Sequence, residues 1–184
     1  MKMKALGRAL TAYLLVDGYN IIHAWDELRE LVEKSSLEDA RGRLLRIMAN
    51  YQGSKGYQRG AVIVVFDAHK VEGGVGSVQL HGGVSVVYTA EAETADHYIE
   101  RTAAVYVKAR STVTVATSDS LEQIIILGKG AFRMSARELY EDVMIEDKDV
   151  RKRIDTRRPV KNNQMMEHFD SDVLEWFEEM RRKS

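Results

Sequence analysis

Short apolar runs alternate along the chain with longer stretches in which apolar residues recur every three or four positions. The runs at 13–17, 62–67, 84–88 and 113–119 are rich in β-branched residues and too short for most helices, so they read as buried strands. A shorter run at 132–134 reads as an edge strand. Ile22, Trp25, Leu28, Leu31 and Val32 predict one helix from Ile22 to about Glu33. Ser36, with Asp39 three residues on, opens a second helix that buries Leu37, Leu44, Leu45, Ile47 and Met48 and ends near Gly53 to Gly60. Thr94 is the expected N-cap of a helix continuing through Val107, and Leu121 to Leu127 form a short helix stopped by Gly128-Lys129-Gly130. Ser135-Ala136-Arg137-Glu138 is a capping box that starts a helix running towards Arg153. This order predicts an α/β fold, a three-layer sandwich around a mainly parallel sheet with right-handed crossovers. The stretch 69–83 holds five glycines and no period, which predicts a flexible surface loop. Its Glu72 to Ser77 run lacks both the Lys-Ser/Thr ending of a P-loop and the strand-to-helix setting of a dinucleotide fingerprint.

A length of 184 residues suits one full-sized domain with a short appendage. The expected boundaries are a disordered leader at 1–11, the domain at 12–158, and an appendage at 159–184 that begins at the only proline, Pro159. In the appendage, Asp170 or Ser171 caps an amphipathic helix bearing Val173, Leu174, Trp176, Phe177 and Met180. The leader is basic, but the apolar run after it breaks at Asp17 with no long apolar region or small-residue cleavage site, unlike a signal peptide. No apolar segment approaches the roughly 20 residues needed to span a bilayer, and a cytoplasmic location is expected. A net charge of −1 with 30% charged residues neither points to nor excludes a nucleic-acid partner. The absence of cysteine removes disulfides, thiolate zinc sites and cysteine nucleophiles together.

Chemistry enters through the strand ends. Three β-branched runs close on an aspartate, at Asp17, Asp67 and Asp119, and Asp96 falls in the first turn of the helix capped by Thr94. In an open parallel sheet, ligands bind outside the carboxyl ends of the strands. Asp17, Asp67, Asp96 and Asp119, with Glu91 and Glu93 nearby, are therefore expected to form one carboxylate cluster. Packed carboxylates repel and need a counter-charge or protons; hard oxygen ligands of this kind suit Mg²⁺ or Mn²⁺. Such a site supports metal-assisted attack of water on a phosphodiester. Several assignments stay open at this point. Asp119 is either a ligand or the cap of the next helix, Asp67 ligates directly, through water or not at all, and Glu93 neutralises an arginine or touches metal. Tyr19 stacks on a base or packs against the following helix, and His69 is a substrate contact or an idle loop residue. Phosphate contacts are expected from the basic run 148–161, including Arg151, Lys152 and Arg153, with Arg133 and Arg137 as alternatives.

The string Val16-Asp17-Gly18-Tyr19-Asn20-Ile21-Ile22 resembles the signature of NYN domains. The segments Val64-Val65-Phe66-Asp67-Ala68-His69, Glu91-Ala92-Glu93-Thr94-Ala95-Asp96, Ala116-Thr117-Ser118-Asp119 and Arg133-Met134-Ser135-Ala136-Arg137-Glu138-Leu139 resemble the YacP-like branch in particular. This resemblance, five motifs in order from about Ala12 to Val150, implies a PIN-like fold and metal-dependent endoribonuclease activity. The best-known member of the branch is a bacterial ribosome-associated endonuclease that cuts mRNA in the ribosomal A site. Carried over residue by residue, the acidic site falls on Asp17 and Asp96 as the principal catalytic positions, with Asp67 and Asp119 in support. Asn20 matches the signature asparagine and is expected to orient a metal ligand or a substrate phosphate. The expected function is Mg²⁺- or Mn²⁺-dependent cleavage of single-stranded RNA, mRNA presented by the ribosome in particular. Two rivals stand beside it: a non-catalytic RNA- or ribosome-binding module, and a phosphatase or phosphotransferase with Asp17 as nucleophile. The second is disfavoured because position 19 is tyrosine, which leaves no Asp-x-Asp pair.

Overall fold

The computed structural model describes residues 12–55, 61–67 and 76–157. The chain divides into two units, Met1–Asp149 and Val150–Ser184, and the sheet belongs to the first. The leader, His69 and the expected helix of the appendage lie outside the described residues.

The central strand is β1 (Ala12–Asp17), flanked in parallel by β2 (Ala61–Phe66) and β5 (Thr112–Thr117). Outside β2 lie β4 (Val84–Tyr88), parallel, and then β3 (Val78–His81), antiparallel; outside β5 lies β6 (Phe132–Ser135), parallel. The six-stranded order is β3-β4-β2-β1-β5-β6. The chain moves from β1 to one side of the sheet and later returns to the other, so the topological switch point lies between β1 and β5. The crevice at the carboxyl ends of these two strands is the favoured ligand position in such sheets.

Successive side chains of a strand point to opposite faces, and β1 divides its residues between two cores accordingly. Leu14 and Val16 pack with Ile22, Leu28, Leu44, Met48 and Leu139. These come from α1 (Gly18–Ala24), α2 (Asp26–Lys34), α3 (Leu37–Lys55) and α6 (Ala136–Arg157). Leu15 packs on the other face with Ile99, Ala103 and Ile126 from α4 (Ala95–Lys108) and α5 (Ser120–Gly128). The result is the expected three-layer α/β sandwich.

Two local features differ from expectation. The helix expected from Ile22 to Glu33 is two helices, because Trp25 is extended (φ −89°, ψ 122°) between α1 and α2. The buried Trp25 indole needs a hydrogen-bond partner and donates to the Ala136 carbonyl at 2.8 Å, tying this joint to the start of α6. The predicted surface loop 69–83 contains β3, which forms a hairpin with β4 through Gly82 and Gly83. Both glycines have positive φ, +55° and +91°, as the two central residues of the tight primed hairpin turn require. The hairpin signal, two glycines between Val-Gln-Leu-His and Val-Ser-Val, was present in the sequence but hidden among the other glycines.

Gly18 is the first residue of α1. A Cβ there would sit 2.2 Å from the Phe66 ring. Phe66 is fully buried, between Tyr19 at 5.1 Å and Tyr88 at 5.7 Å between ring centroids, so it has little room to yield. Gly18→Ala is therefore expected to lower stability by about 1–3 kcal/mol through overpacking, seen as a fall in the urea midpoint at unchanged slope. A rise in the midpoint would show that the Phe66 ring moves aside freely.

Candidate active site

The two-residue alternation that puts Leu15 on the α4/α5 face puts Asp17 there as well. On α4, Asp96 shares a stripe with Ile99 and Ala103, three and seven residues on, and on α5 Glu122 shares one with Ile126. The apolar members of these stripes pack on the sheet, and their acidic members meet beyond the end of β1. Carboxylate oxygens of Asp17, Asp96 and Glu122 all lie within 4.8 Å of one another. Asp96 is exposed, whereas Asp17 and Glu122 are only 3% and 5% exposed.

Asp17 is held from its own helix. It caps α1, its Oδ1 accepting from the Asn20 N–H at 3.1 Å and its Oδ2 from Asn20 Nδ2 at 2.6 Å. Asn20 Oδ1 in turn accepts from the Ser118 hydroxyl at 2.7 Å, which bridges the ends of β1 and β5 across the switch point. Burial pushes the Asp17 pKa up; the two Asn20 donors oppose this, and the nearby Asp96 carboxyl adds to the rise. Asp96 follows Thr94, whose hydroxyl caps α4 by accepting from the His97 N–H at 3.3 Å.

Glu122 is the residue that sequence reasoning missed. It sits in an otherwise apolar helix segment, and three residues after Asp119 it resembles the return partner of a capping box. Among the described residues neither of its oxygens has a hydrogen-bond partner at bonding distance. Its pKa is raised from 4.5 to about 7, chiefly by burial; the Thr117 hydroxyl offsets part of this, and the charges of Asp17, Asp96 and Asp119 add to it. A buried carboxylate without a donor is costly unless it faces a cation. That orphaned group, with two further carboxylates in reach and no thiolate or imidazole joining them among the described residues, fits a hard divalent ion. The cluster is thus a candidate metal centre.

The other sequence-predicted residues fall elsewhere. Asp119 caps α5, its Oδ1 accepting from Leu121 N at 2.7 Å and Glu122 N at 3.2 Å, so its carboxylate is outside the compact set. Asp67 follows β2 directly and is also outside it. Glu93 pairs with Arg101 at 2.7 Å. Tyr19 is buried at 6% exposure, its ring edge-on to Phe66 and its hydroxyl accepting from Arg41 at 3.1 Å. Packing has therefore won over base stacking at Tyr19, because the whole ring is used by the core. Arg133 reaches Gln123 at 3.2 Å and Glu138 at 3.5 Å, while Arg137 pairs with Glu141 at 2.9 Å from a largely exposed position. Arg151, Lys152 and Arg153 are exposed on α6 and belong to the second unit. No helix among the described residues is long and apolar enough to cross a membrane.

A mainly parallel α/β sheet that gathers carboxylates from one strand and two helices at its switch point defines an α/β domain with a candidate divalent-metal centre at the ligand-binding edge of its sheet. The chain belongs to the YacP-like NYN domain family, which it matches over residues 14–182. It is 42% identical over 172 residues to an uncharacterized protein YacP of Bacillus subtilis (strain 168), covering 92% of this chain and 96% of that one. Its fold is similar to the crystal structure of Rae1 (YacP) from Bacillus subtilis, with TM-score 0.66, 41% identity and coverage of 92% and 94% of the two chains. A crystal structure of a tryptophan-to-leucine mutant of that protein gives a TM-score of 0.64 at 40% identity, over 81% of this chain and 86% of the other. Family membership carries a nuclease-like, RNA-related role.

The raised Glu122 pKa fixes the sign of a pH effect. In the unfolded chain the carboxyl ionises near 4.5 and in the metal-free fold near 7, so between these values the unfolded state binds fewer protons. Stability therefore falls as pH rises through that window. Metal-free protein should melt at a lower temperature at pH 8 than at pH 5, and Glu122→Gln should flatten the slope. A divalent ion, which binds the ionised form, should raise the melting temperature more at pH 8 than at pH 5. An unchanged slope in Glu122→Gln would remove Glu122 as its source.

Proposed function

We propose that the protein is a divalent-metal-dependent endoribonuclease that hydrolyses single-stranded RNA in the cytoplasm, with mRNA presented by the ribosome as its substrate. The observation that carries this reading is the meeting of Asp17, Asp96 and the orphaned Glu122 at the switch point of the sheet.

In this reading Asp17, Asp96 and Glu122 hold Mg²⁺ or Mn²⁺. An ion held there would supply Lewis acidity, which lowers the pKa of a bound water and offsets charge on the phosphate. The chain does the rest by position and charge. Asn20 spends both side-chain groups on Asp17 and Ser118, which fixes the carboxylate and leaves Asn20 as a positioning residue. Asp119 sets the start of α5 and with it the place of Glu122, and acts on the cluster through its charge. Asp67, next to the end of β2, adds negative potential to the same edge of the sheet. Arg133 and Arg137, on or beside the end of β6, are suited to the RNA backbone. Further phosphate contacts fall to Arg151, Lys152 and Arg153, and a substrate contact to His69.

Purified protein with Mn²⁺, with and without translating ribosomes, should cleave RNA internally. Asp17→Asn and Asp96→Asn should each cost at least about a hundredfold in rate, as expected for loss of a ligand from a metal-assisted hydrolase. Unchanged cleavage in both variants contradicts the assignment. RNA or ribosome binding without cleavage by the wild type selects the non-catalytic module instead.

A further inference from the structure

Beside the acidic cluster, on the opposite face of the sheet, a cavity of about 510 Å³ opens at the same edge. Its walls include Trp25, Tyr140, Ser118, Ser135, Arg137 and Glu27. The strand register sets its level: Val16 is paired with Ala116, and Thr117 with Ser135, so Asp17, Thr117 and Ser135 end three adjacent strands side by side, and Ser118 is the first residue beyond β5. Ser118 forms one wall of the cavity and is also hydrogen-bonded to Asn20, which holds Asp17. Ser118 and Asn20 thus link a wall of the cavity to the carboxylate of Asp17.

We propose that this cavity binds one nucleobase of the RNA strand whose backbone crosses the acidic cluster. The inference rests on the nuclease reading for its substrate class, and the cavity's chemistry points to a base independently of catalysis. Its volume lies within the roughly 300–1,000 Å³ of small-molecule sites. Tyr140 is 36% exposed as a residue, and its ring is braced edge-on by Trp25 at 5.2 Å, with Trp25 itself fixed by its bond to Ala136. A half-exposed aromatic locked by a buried one is a stacking platform of the kind that grips single strands. Glu27 and Ser135 line the cavity as polar residues for a base edge; the Ser135 hydroxyl accepts from the Glu138 N–H and keeps its own proton to donate, and Glu27 is only loosely paired with Arg43 at 3.8 Å. Arg137 stands at the wall with its side chain 87% exposed; its surface pair with Glu141 is of the weak kind that a phosphate of the same nucleotide can replace.

The test separates base binding from cleavage. Wild-type protein in EDTA is titrated with a fluorescent single-stranded octaribonucleotide, intact or with one abasic residue at each position in turn, and the series is repeated with Tyr140→Ala and Tyr140→Phe. The proposal expects one position where removing the base weakens binding about tenfold. That penalty should vanish in Tyr140→Ala and persist in Tyr140→Phe, while the Mn²⁺-induced rise in melting temperature stays as in the wild type. No saturable binding, no sensitive position, or an equal penalty in wild type and Tyr140→Ala overturns it. Cleavage is measured separately in Mn²⁺. Base-coupled binding without cleavage sinks the nuclease reading alone, and cleavage with base-insensitive binding sinks the cavity assignment alone.

Discussion

The burial of a carboxylate at the end of the central strand governs this structure. Asp17 is 3% exposed and meets Asp96 and Glu122 within 4.8 Å, while its hydrogen-bond donors among the described residues come from Asn20. Charges this close and this dry are tolerated only when a proton or a cation compensates them. Without metal the compensation is partial protonation, with Glu122 pushed up to about 7. With a divalent ion the same repulsion becomes binding energy. Helix caps at Asp17, Thr94 and Asp119 start the three surrounding helices at positions that keep the carboxylates converging.

The fold reaches this arrangement by simple parity. Leu14 and Val16 bury on one side of the sheet and Leu15 on the other, which commits Asp17 to the side of α4 and α5. On those helices, Ile99 and Ile126 anchor the stripes that carry Asp96 and Glu122. Each acid is therefore one step beyond an apolar contact that fixes its element. Gly18 allows the turn from β1 into α1 to be this tight, because the Phe66 ring occupies the space of a side chain.

Much of this was legible in the residues. The β-branched runs located five of the six strands, and the helix starts at Ser36 and Ser135 are capped as expected: Asp39 N donates to Ser36 at 3.0 Å, and at Ser135 the full box closes, Glu138 N donating to Ser135 at 3.2 Å and Ser135 N to Glu138 at 2.7 Å. Asp17 and Asp96 could be paired because a strand end and a capped helix start are both local signals. Glu122 could not, since its role depends on how α5 packs, and no local pattern distinguishes a buried glutamate from a solvated one in that helix. Trp25 shows the same limit: its spacing suits a continuous helix, and only the distant Ala136 carbonyl explains the break. Edge strand β3 escaped for a different reason, its residues being exposed and unpatterned beside a glycine-rich segment.

Asp17, Asp96 and Glu122 are proposed to form one divalent-metal site. Anomalous scattering from a crystal of this protein soaked in Mn²⁺ tests it directly. The expected result is density within coordinating distance, about 2.0–2.2 Å, of all three carboxylates, lost in a Glu122→Gln crystal. Manganese bound instead at Asp67 or Asp119, or bound unchanged without Glu122, would contradict it.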